Sequence, residues 1–182
     1  MNRALPWLLT AALLVSAWLV ALVTPDDSAF VAPFVVRTSI GEEAVGRDLA
    51  LTVQDVRMAE SISAPGGWTA EGTWLLVDVD AEATLEQYGT LLGGATLTIG
   101  DRSFRASDRP ESIFKTRLVT GIPKSGTIAF ELPADALSGT GILQLSSQED
   151  TRADSVIELE IDLDALDPVA DAEIPKTDWT NP

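Results

Sequence analysis

The feature that most constrains this chain is a run of twenty uncharged residues, Leu5 to Thr24, close to the amino terminus. A helix of that length is about 30 Å long, which matches the hydrocarbon core of a bilayer. A helix that is apolar on every side has no polar face to present to water, so it does not fit the surface of an acidic domain. The run therefore predicts an N-terminal signal-anchor, a transmembrane helix within residues 1–24.

A cleaved secretory signal is the second interpretation of the same run. The apolar region of such a signal usually has about 7–15 residues and ends at a small-x-small cleavage site. This run is longer, and Leu19 stands two places before Ala21, where cleavage would need a small residue. We therefore favour the uncleaved anchor and keep the cleaved signal as the alternative.

The charges that flank the run predict its orientation. Arg3 is the only charged side chain before it, whereas Asp26 and Asp27 follow it. Positive charge stays on the cytoplasmic side, which predicts a cytoplasmic N-terminus and an extracytoplasmic C-terminal domain at the cell membrane. Residues 25–34 contain two prolines and no periodic pattern, and they predict a short extended tether.

Composition excludes several classes of function. The chain has no cysteine and no histidine, which removes disulfides, thiolate nucleophiles, the usual zinc ligands and the commonest general base. Of the 12 Lys and Arg residues only Arg3 precedes the run, and all 28 Asp and Glu residues follow it, so the exported portion has a net charge of −17. Such a surface repels nucleic acid. We predict a non-enzymatic protein with no catalytic residues, no cofactor, no metal and no nucleic-acid partner.

Residues 35–166 show the period-two alternation of strands with one buried face. In the clearest segment, TWLLVDVDAEA, Leu75, Val77 and Val79 alternate with Asp78 and Asp80. Similar segments occur at residues 34–40, 48–62, 95–99, 102–107, 122–133, 141–147 and 155–166. Seven to eight short strands without a soluble helix predict an all-β fold, an antiparallel β-sandwich, with a small barrel as the alternative. We predict that residues 41–47 form a turn, residues 63–72 a loop and residues 167–182 a flexible polar tail.

Four stretches together resemble a known family. They are VGRDLALTVQDVRMAESI, GTWLLVDVDAEA, ATLTIGDRSFRAS and IPKSGTIAFELP, within about residues 40–163. Their order is similar to that of an immunoglobulin-like extracytoplasmic domain family of unknown function, which occurs behind membrane anchors or lipoprotein signals, mainly in Gram-positive bacteria. The resemblance implies an immunoglobulin-like sandwich with a binding or accessory role at the outer face of the membrane. It places no functional residue on this chain.

A basic stretch between residues 102 and 124 is the main charge asymmetry of the exported portion. Its net charge is +4, whereas the remainder of that portion carries −21. It predicts a binding surface for an anionic partner, and an aromatic residue in the preceding glycine-rich loop is a further contact candidate. The candidate partner-binding residues are Arg102, Arg105, Arg109, Lys115, Arg117 and Trp68. The alternatives are internal ion pairing for the cations and a place in the core for Trp68. The second tryptophan of this region, Trp74, is predicted to lie in the core.

Two acidic rows have alternative interpretations. Asp78, Asp80 and Glu82 share one face of a strand, and Glu158, Glu160 and Asp162 share another. We interpret the first row as a solvated face, with calcium binding or acid–base catalysis as the alternative. We interpret the second row, which continues to Asp164, as charges on an edge strand that discourage edge-to-edge association, with weak divalent-cation binding as the alternative. The sequence as a whole predicts a single-pass membrane protein whose domain is an accessory subunit with an envelope or membrane protein as partner. A carboxylate-dependent hydrolase of cell-wall carbohydrate and a purely structural spacer remain alternatives, and no small-molecule ligand is predicted.

Overall fold

The computed structural model describes residues 4–23, 31–85 and 89–180. The chain divides into two units, residues 1–32 and 33–182. The first contains helix α1, Ala4–Val23, and its span Leu5–Val23 is long and apolar enough to cross a bilayer and has no buried part. The predicted apolar helix is confirmed, and its membrane crossing stays a prediction. The predicted tether falls largely on residues 24–30, which lie outside the described residues.

The second unit consists of two β-sheets. Its described part has eleven strands: β1 Phe34–Thr38, β2 Glu43–Val45, β3 Leu49–Ala64, β4 Trp68–Ala83, β5 Gly94–Ile99, β6 Arg102–Arg105, β7 Lys124–Leu132, β8 Thr140–Ser146, β9 Ser155–Asp162, β10 Val169–Glu173 and β11 Asp178–Trp179. Sheet A has the strand order β1-β9-β8-β5-β6. Sheet B has the order β10-β3-β4-β7-β11, with β2 also paired to β3. The predicted β-sandwich is confirmed, with more strands than the seven to eight expected.

Most neighbouring strands are antiparallel, but one edge pair in each sheet is parallel. In sheet A β1 runs parallel to β9, with Phe34 opposite Ser155. In sheet B β10 runs parallel to β3, with Val169 opposite Ala59. Parallel neighbours require long connections rather than hairpins. Each sheet therefore brings together chain segments that are distant in sequence.

The alternating side chains of both sheets form the main core. Leu75, Val77 and Val79 of β4 point inward, and Ile128 and Phe130 of β7 lie beside them in the same buried cluster. Sheet A contributes residues such as Leu97, Leu143 and Ile157. The inward half of the alternation predicted from the sequence is confirmed, because side chains in a strand point to opposite faces with a period of two.

Two segments predicted as irregular contain strand residues. Residues 63–72 are divided between β3 and β4, and only Pro65–Gly67 forms the turn of this hairpin. Gly66 and Gly67 both have φ near +80°, a conformation that glycine adopts without a steric penalty. Residues 41–47 likewise contain β2. The glycine-rich composition of both segments concealed strands whose pairing partners lie next to them.

The prediction of a flexible tail is wrong for residues 169–180. This segment contributes β10 to one edge of sheet B and β11 to the other, and Ile174 between them is fully buried. Ile174 packs in a second apolar cluster with Trp74, Leu76 and Ala129, on the face of sheet B away from the main core. The physical reason is that Trp74 and Leu76 would otherwise face water, and the C-terminal segment covers them.

Candidate functional site

Four of the six cations of the predicted basic stretch have carboxylate partners. The ion pairs are Arg102–Asp135 at 3.0 Å, Arg105–Glu149 at 2.7 Å, Arg109–Glu131 at 2.7 Å and Lys115–Asp108 at 3.0 Å. The hydrogen bond from Lys115 holds the pKa of Asp108 below its ordinary value. These pairs are largely exposed, so each contributes little to stability. The geometry favours the alternative of internal ion pairing over a free cationic surface.

The stretch is also divided along the sandwich. Arg109 contacts Glu131, next to the last residue of β7, whereas Lys124 is the first residue of the same strand. Seven residues of strand separate these positions, which corresponds to about 23 Å. The structure therefore does not join the six cations into one surface, and partner binding by the predicted residues stays a prediction.

Trp68 lies between the core and solvent. It is half-buried, and its ring meets the ring of Trp74 edge to face, with centroids 6.0 Å apart and an interplanar angle of 85°. The guanidinium carbon of Arg109 lies 5.6 Å from the centroid of Trp68, and Arg109 is itself paired with Glu131. One face of the ring is thus covered by a cation that already has a partner. Trp74 is fully buried, so its predicted place in the core is confirmed.

The acidic row on β4 is more enclosed than a solvated face. Asp78 accepts hydrogen bonds from Arg57 and from Thr127 Oγ1, the latter at 2.5 Å. Asp80 accepts hydrogen bonds from Gln54 Nε2, at 2.7 Å, and from Ser125 Oγ. These carboxylates line a cavity of about 310 Å³ whose other walls include Pro175, Lys176 and Asp178. The C-terminal segment, which sequence reasoning treated as a tail, thereby converts an outward strand face into a partly covered cavity.

The chemistry available in this cavity is limited by its hydrogen bonds. Both β4 carboxylates are already bonded to protein donors, and Asp178 accepts a hydrogen bond from the backbone N–H of Trp179. Asp78 and Asp80 are two residues apart on one strand, which separates them by about 7 Å along it. A glycosidase places its two carboxylates on opposite sides of the scissile bond. Asp78 and Asp80 come from one strand, and Asp178 of β11 is the carboxylate in this cavity that comes from a second strand.

The acidic row on β9 lies on an inner strand, between β1 and β8, so its predicted place on an edge strand is wrong: β1, which is distant in sequence, covers the outer side of β9. Glu158 is paired with Arg37 at 3.4 Å and accepts a hydrogen bond from Gln144 at 3.0 Å. Asp162 accepts a hydrogen bond from the backbone N–H of Asp164. In the part of the chain that the structure describes, no group of three or more acidic side chains is placed to hold a metal ion. We therefore assign no metal site to either acidic row.

Comparison with known proteins shows the fold. No protein-family model matches the chain, and no curated protein matches it. An uncharacterized β-sandwich protein from Clostridium difficile is similar over 76% of this chain and 99% of its own, with a TM-score of 0.51 and 8% identity. A "putative lipoprotein" from Staphylococcus aureus is similar over 74% and 97%, with a TM-score of 0.50 and 12% identity.

A third solved structure, the yjhA protein from Bacillus subtilis, has a TM-score of 0.46 and 19% identity over 66% of this chain and 98% of its own. At 8% and 12% identity, the likeness to the Clostridium difficile and Staphylococcus aureus proteins establishes a shared architecture only. The chain is a β-sandwich that follows an N-terminal apolar helix, and its solved structural neighbours are β-sandwich proteins, one of them described as a lipoprotein from a Gram-positive bacterium.

Proposed function

We propose that this protein is a single-pass membrane protein that displays an acidic, non-catalytic β-sandwich outside the cytoplasm as an accessory or binding subunit of an envelope assembly. The observation that carries the proposal is helix α1. It is long enough to cross a bilayer, has no charged residue between Ala4 and Val23, and has no buried part in its apolar span. A helix with these properties needs an apolar environment that the described protein does not supply.

The charges next to the helix support an extracytoplasmic domain. Arg3 precedes the apolar run and Asp26 and Asp27 follow it, so the positive-inside tendency favours a cytoplasmic N-terminus. A net charge of −17 on the exported portion also keeps this surface away from anionic polymers such as nucleic acid. The structural likeness to a lipoprotein-like sandwich is compatible with the same location.

An accessory role is favoured over catalysis by the side chains present. The chain has no histidine or cysteine, which leaves carboxylates and lysines as the acid–base groups. The carboxylates that line the cavity beside β4 are bonded to Arg57, Gln54 and neighbouring hydroxyl groups. A hydrolase would need one of these carboxylates free. The variant Asp80→Asn separates hydrolysis from binding, because the substitution would abolish hydrolysis of wall carbohydrate but leave partner binding intact.

The test of the binding role is affinity capture of the full chain from detergent-solubilised membranes. We expect one envelope or membrane protein to be captured, and its capture to weaken when Arg102, Arg105, Arg109 and Lys115 are all changed to Gln. An equal loss of positive charge elsewhere is the matched control: Arg37, Arg47, Arg152 and Lys176, each changed to Gln. Those four are exposed and lie outside the stretch.

Capture that is lost only in the first variant supports binding by the basic stretch. Equal capture by both variants removes the stretch as the binding surface, and absence of any partner favours the structural spacer. The anchor is tested separately by alkaline extraction of membranes, since an integral protein stays in the pellet. If the mature chain begins after Thr24 and is found in the medium, the anchored-subunit proposal is wrong.

A further inference from the structure

Exposed large apolar side chains are concentrated at one end of the sandwich. Nine occur among the described residues of the second unit: Phe34, Val35, Ile40, Val45, Leu85, Leu91, Ile122, Val169 and Trp179. Seven of the nine, all but Ile40 and Val169, lie at or beside the end where β1, β3 and β7 begin and where β2 and β4 end. We call this the β1 end. Exposed apolar residues scattered singly need no explanation, but a group of seven at one end does.

The register of sheet B places Val45 and Trp179 at one end of the sheet, with their side chains on opposite faces of it, because their rows pass through consecutive residues of β4. The rows at this end run Val45–Ala50–Glu82 across β2, β3 and β4, and Ala81–Lys124–Trp179 across β4, β7 and β11. Val45 and Trp179 therefore lie near opposite edges of the same end of the sheet. Four strand spacings separate them, which corresponds to about 19 Å.

Hydrogen bonds between loops join the rest of the β1 end to these rows. The N–H of Arg47, just after β2, donates to Ser155 Oγ at 2.8 Å, next to the start of β1. Thr120 Oγ1 donates to the carbonyl oxygen of Leu85 at 2.7 Å, which connects the loop after β4 to the segment before β7. The N–H of Thr84 donates to the carbonyl oxygen of Asp48 at 3.2 Å, so these two contacts belong to one hydrogen-bonded set of segments beside Phe34, Leu85 and Ile122.

Cations lie among these apolar side chains. Lys124 Nζ is 4.4 Å from the centroid of the Trp179 ring, and the Arg47 side chain is largely exposed, with Asp48 at 3.8 Å. Arg117, which forms an isolated β-bridge with Leu91, is also exposed. Aromatic rings, aliphatic side chains and Lys or Arg with apolar stems are the combination that favours the headgroup region of a bilayer.

The covalent connection to the apolar helix enters the sandwich at the β1 end. Ten residues, 24–33, join Val23 of the apolar helix to Phe34 at the start of β1. Fully extended they span at most about 35 Å. The β1 end is thus the part of the sandwich that is tethered to the helix. Asp78 and Glu158 lie along the strand faces, whereas Glu82, the last carboxylate of the β4 row, lies at this end together with Asp48 and Asp178.

We propose that the β1 end of the sandwich rests on the outer surface of the lipid bilayer, with its apolar side chains in the headgroup region and its cations on lipid phosphates. This inference rests on the proposed membrane anchoring by helix α1. It fixes the orientation of the domain, because one end is occupied by lipid and the strand faces with their carboxylates stay directed toward solvent and partners.

The absence of cysteine makes a direct test simple. The single variants Ile122→Cys and Val169→Cys of the full chain are spin-labelled. Each labelled protein is then reconstituted at one copy per nanodisc, in phosphatidylcholine with a minority of phosphatidylglycerol. Both positions are exposed, at 51% and 45%, so labelling leaves the core intact. Val169 pairs with Ala59, ten residues along β3 from the β1 end, and is the matched control. A third variant, Leu14→Cys, reports on the helix.

Collision with a water-soluble nickel chelate and with oxygen is measured by electron paramagnetic resonance power saturation. We expect the label at Ile122 to meet the chelate several-fold less often than the label at Val169, and to meet oxygen more often. Equal chelate accessibility at the two positions, or an immobilised label at Ile122 that protein contacts shield from both reagents, would overturn the proposal. If the label at Leu14 is itself accessible to the chelate, the membrane anchoring has failed instead.

Discussion

The buried isoleucine of the C-terminal segment provides the sharpest test of the fold. Ile174→Ala removes three carbon atoms from a fully buried side chain that packs with Trp74 and Leu76. At about 0.8 kcal/mol for each buried methylene, the lost transfer free energy is about 2.4 kcal/mol. A residual cavity adds to that loss, so we expect the free energy of unfolding to fall by about 3 kcal/mol.

The assay is equilibrium unfolding of the full chain in urea, in mild detergent, followed by tryptophan fluorescence. Trp74 belongs to the cluster that contains Ile174, and Trp68 packs against that cluster, so the emission of both tryptophans reports on its packing. With a slope of about 2 kcal/mol per molar urea, the midpoint should fall by about 1.5 M. The matched control is Val169→Ala in the same segment, where an exposed side chain predicts a change within about 0.5 kcal/mol.

The refuting result is an unchanged midpoint for Ile174→Ala. It would mean that residues 169–180 behave as the flexible tail that their composition suggests, and that the apolar cluster on sheet B is not covered. Hydrogen exchange provides an independent check, because the N–H of Ile174 donates to the carbonyl oxygen of Ser63 at 2.8 Å and should be protected.

Two further predictions concern charged groups. Arg57→Ala leaves the Asp78 carboxylate, whose side chain is only 27% exposed, without its guanidinium partner. We expect a loss of about 1–3 kcal/mol in the free energy of unfolding, part of which Asp78→Ala in the same chain should restore; an unchanged urea midpoint for the single variant would contradict this. Separately, hydrogen bonds from Arg152 lower the pKa of Asp150 from 3.8 to about 2. Because the folded pKa is the lower one, the stabilisation is present above pH 4 and is lost as pH falls toward 2. Carboxyl titration by NMR should show the pKa of Asp150 returning toward 3.8 in Arg152→Gln, and an unaltered pKa would exclude the pairing.

The parts of the fold that were predictable from the sequence are those with a local periodic pattern. Leu75, Val77 and Val79 were assigned to the core because a strand that is buried on one face repeats every two residues. The β5–β6 hairpin was predictable because Gly100 and Asp101 separate two such segments. These features depend only on neighbours in sequence, so no knowledge of the remaining chain was needed.

The missed features depend on contacts between distant segments. β10 has five residues and β11 has two, which is too short for a visible alternation, and the burial of Ile174 depends on Trp74, a hundred residues earlier. The parallel pairing of β1 with β9 leaves no local signal either. Sequence alone could not predict it.

The same limit applies to the candidate site. Arg102, Arg105 and Arg109 are close together in sequence, but their carboxylate partners come from after β8 or from the end of β7 and beyond. Net charge along a segment therefore overstated the free positive charge of the folded surface. The apolar β1 end was missed for the converse reason, since its members come from six separate segments. Only the strand register brings them together.

The C-terminal segment has a consequence for the way other chains can attach to this domain. On one side of sheet B, β2 and β10 pair with the outer side of β3. On the other side, β11 pairs with β7, and the N–H groups of Ile113 and Ser107 also donate hydrogen bonds to β7. In the described part of the chain, sheet B thus offers little unpaired backbone for strand addition or aggregation. Removal of residues 167–182 would uncover both borders at once. Strand exchange with an incoming chain is left to β1 and β6, the outermost strands of sheet A.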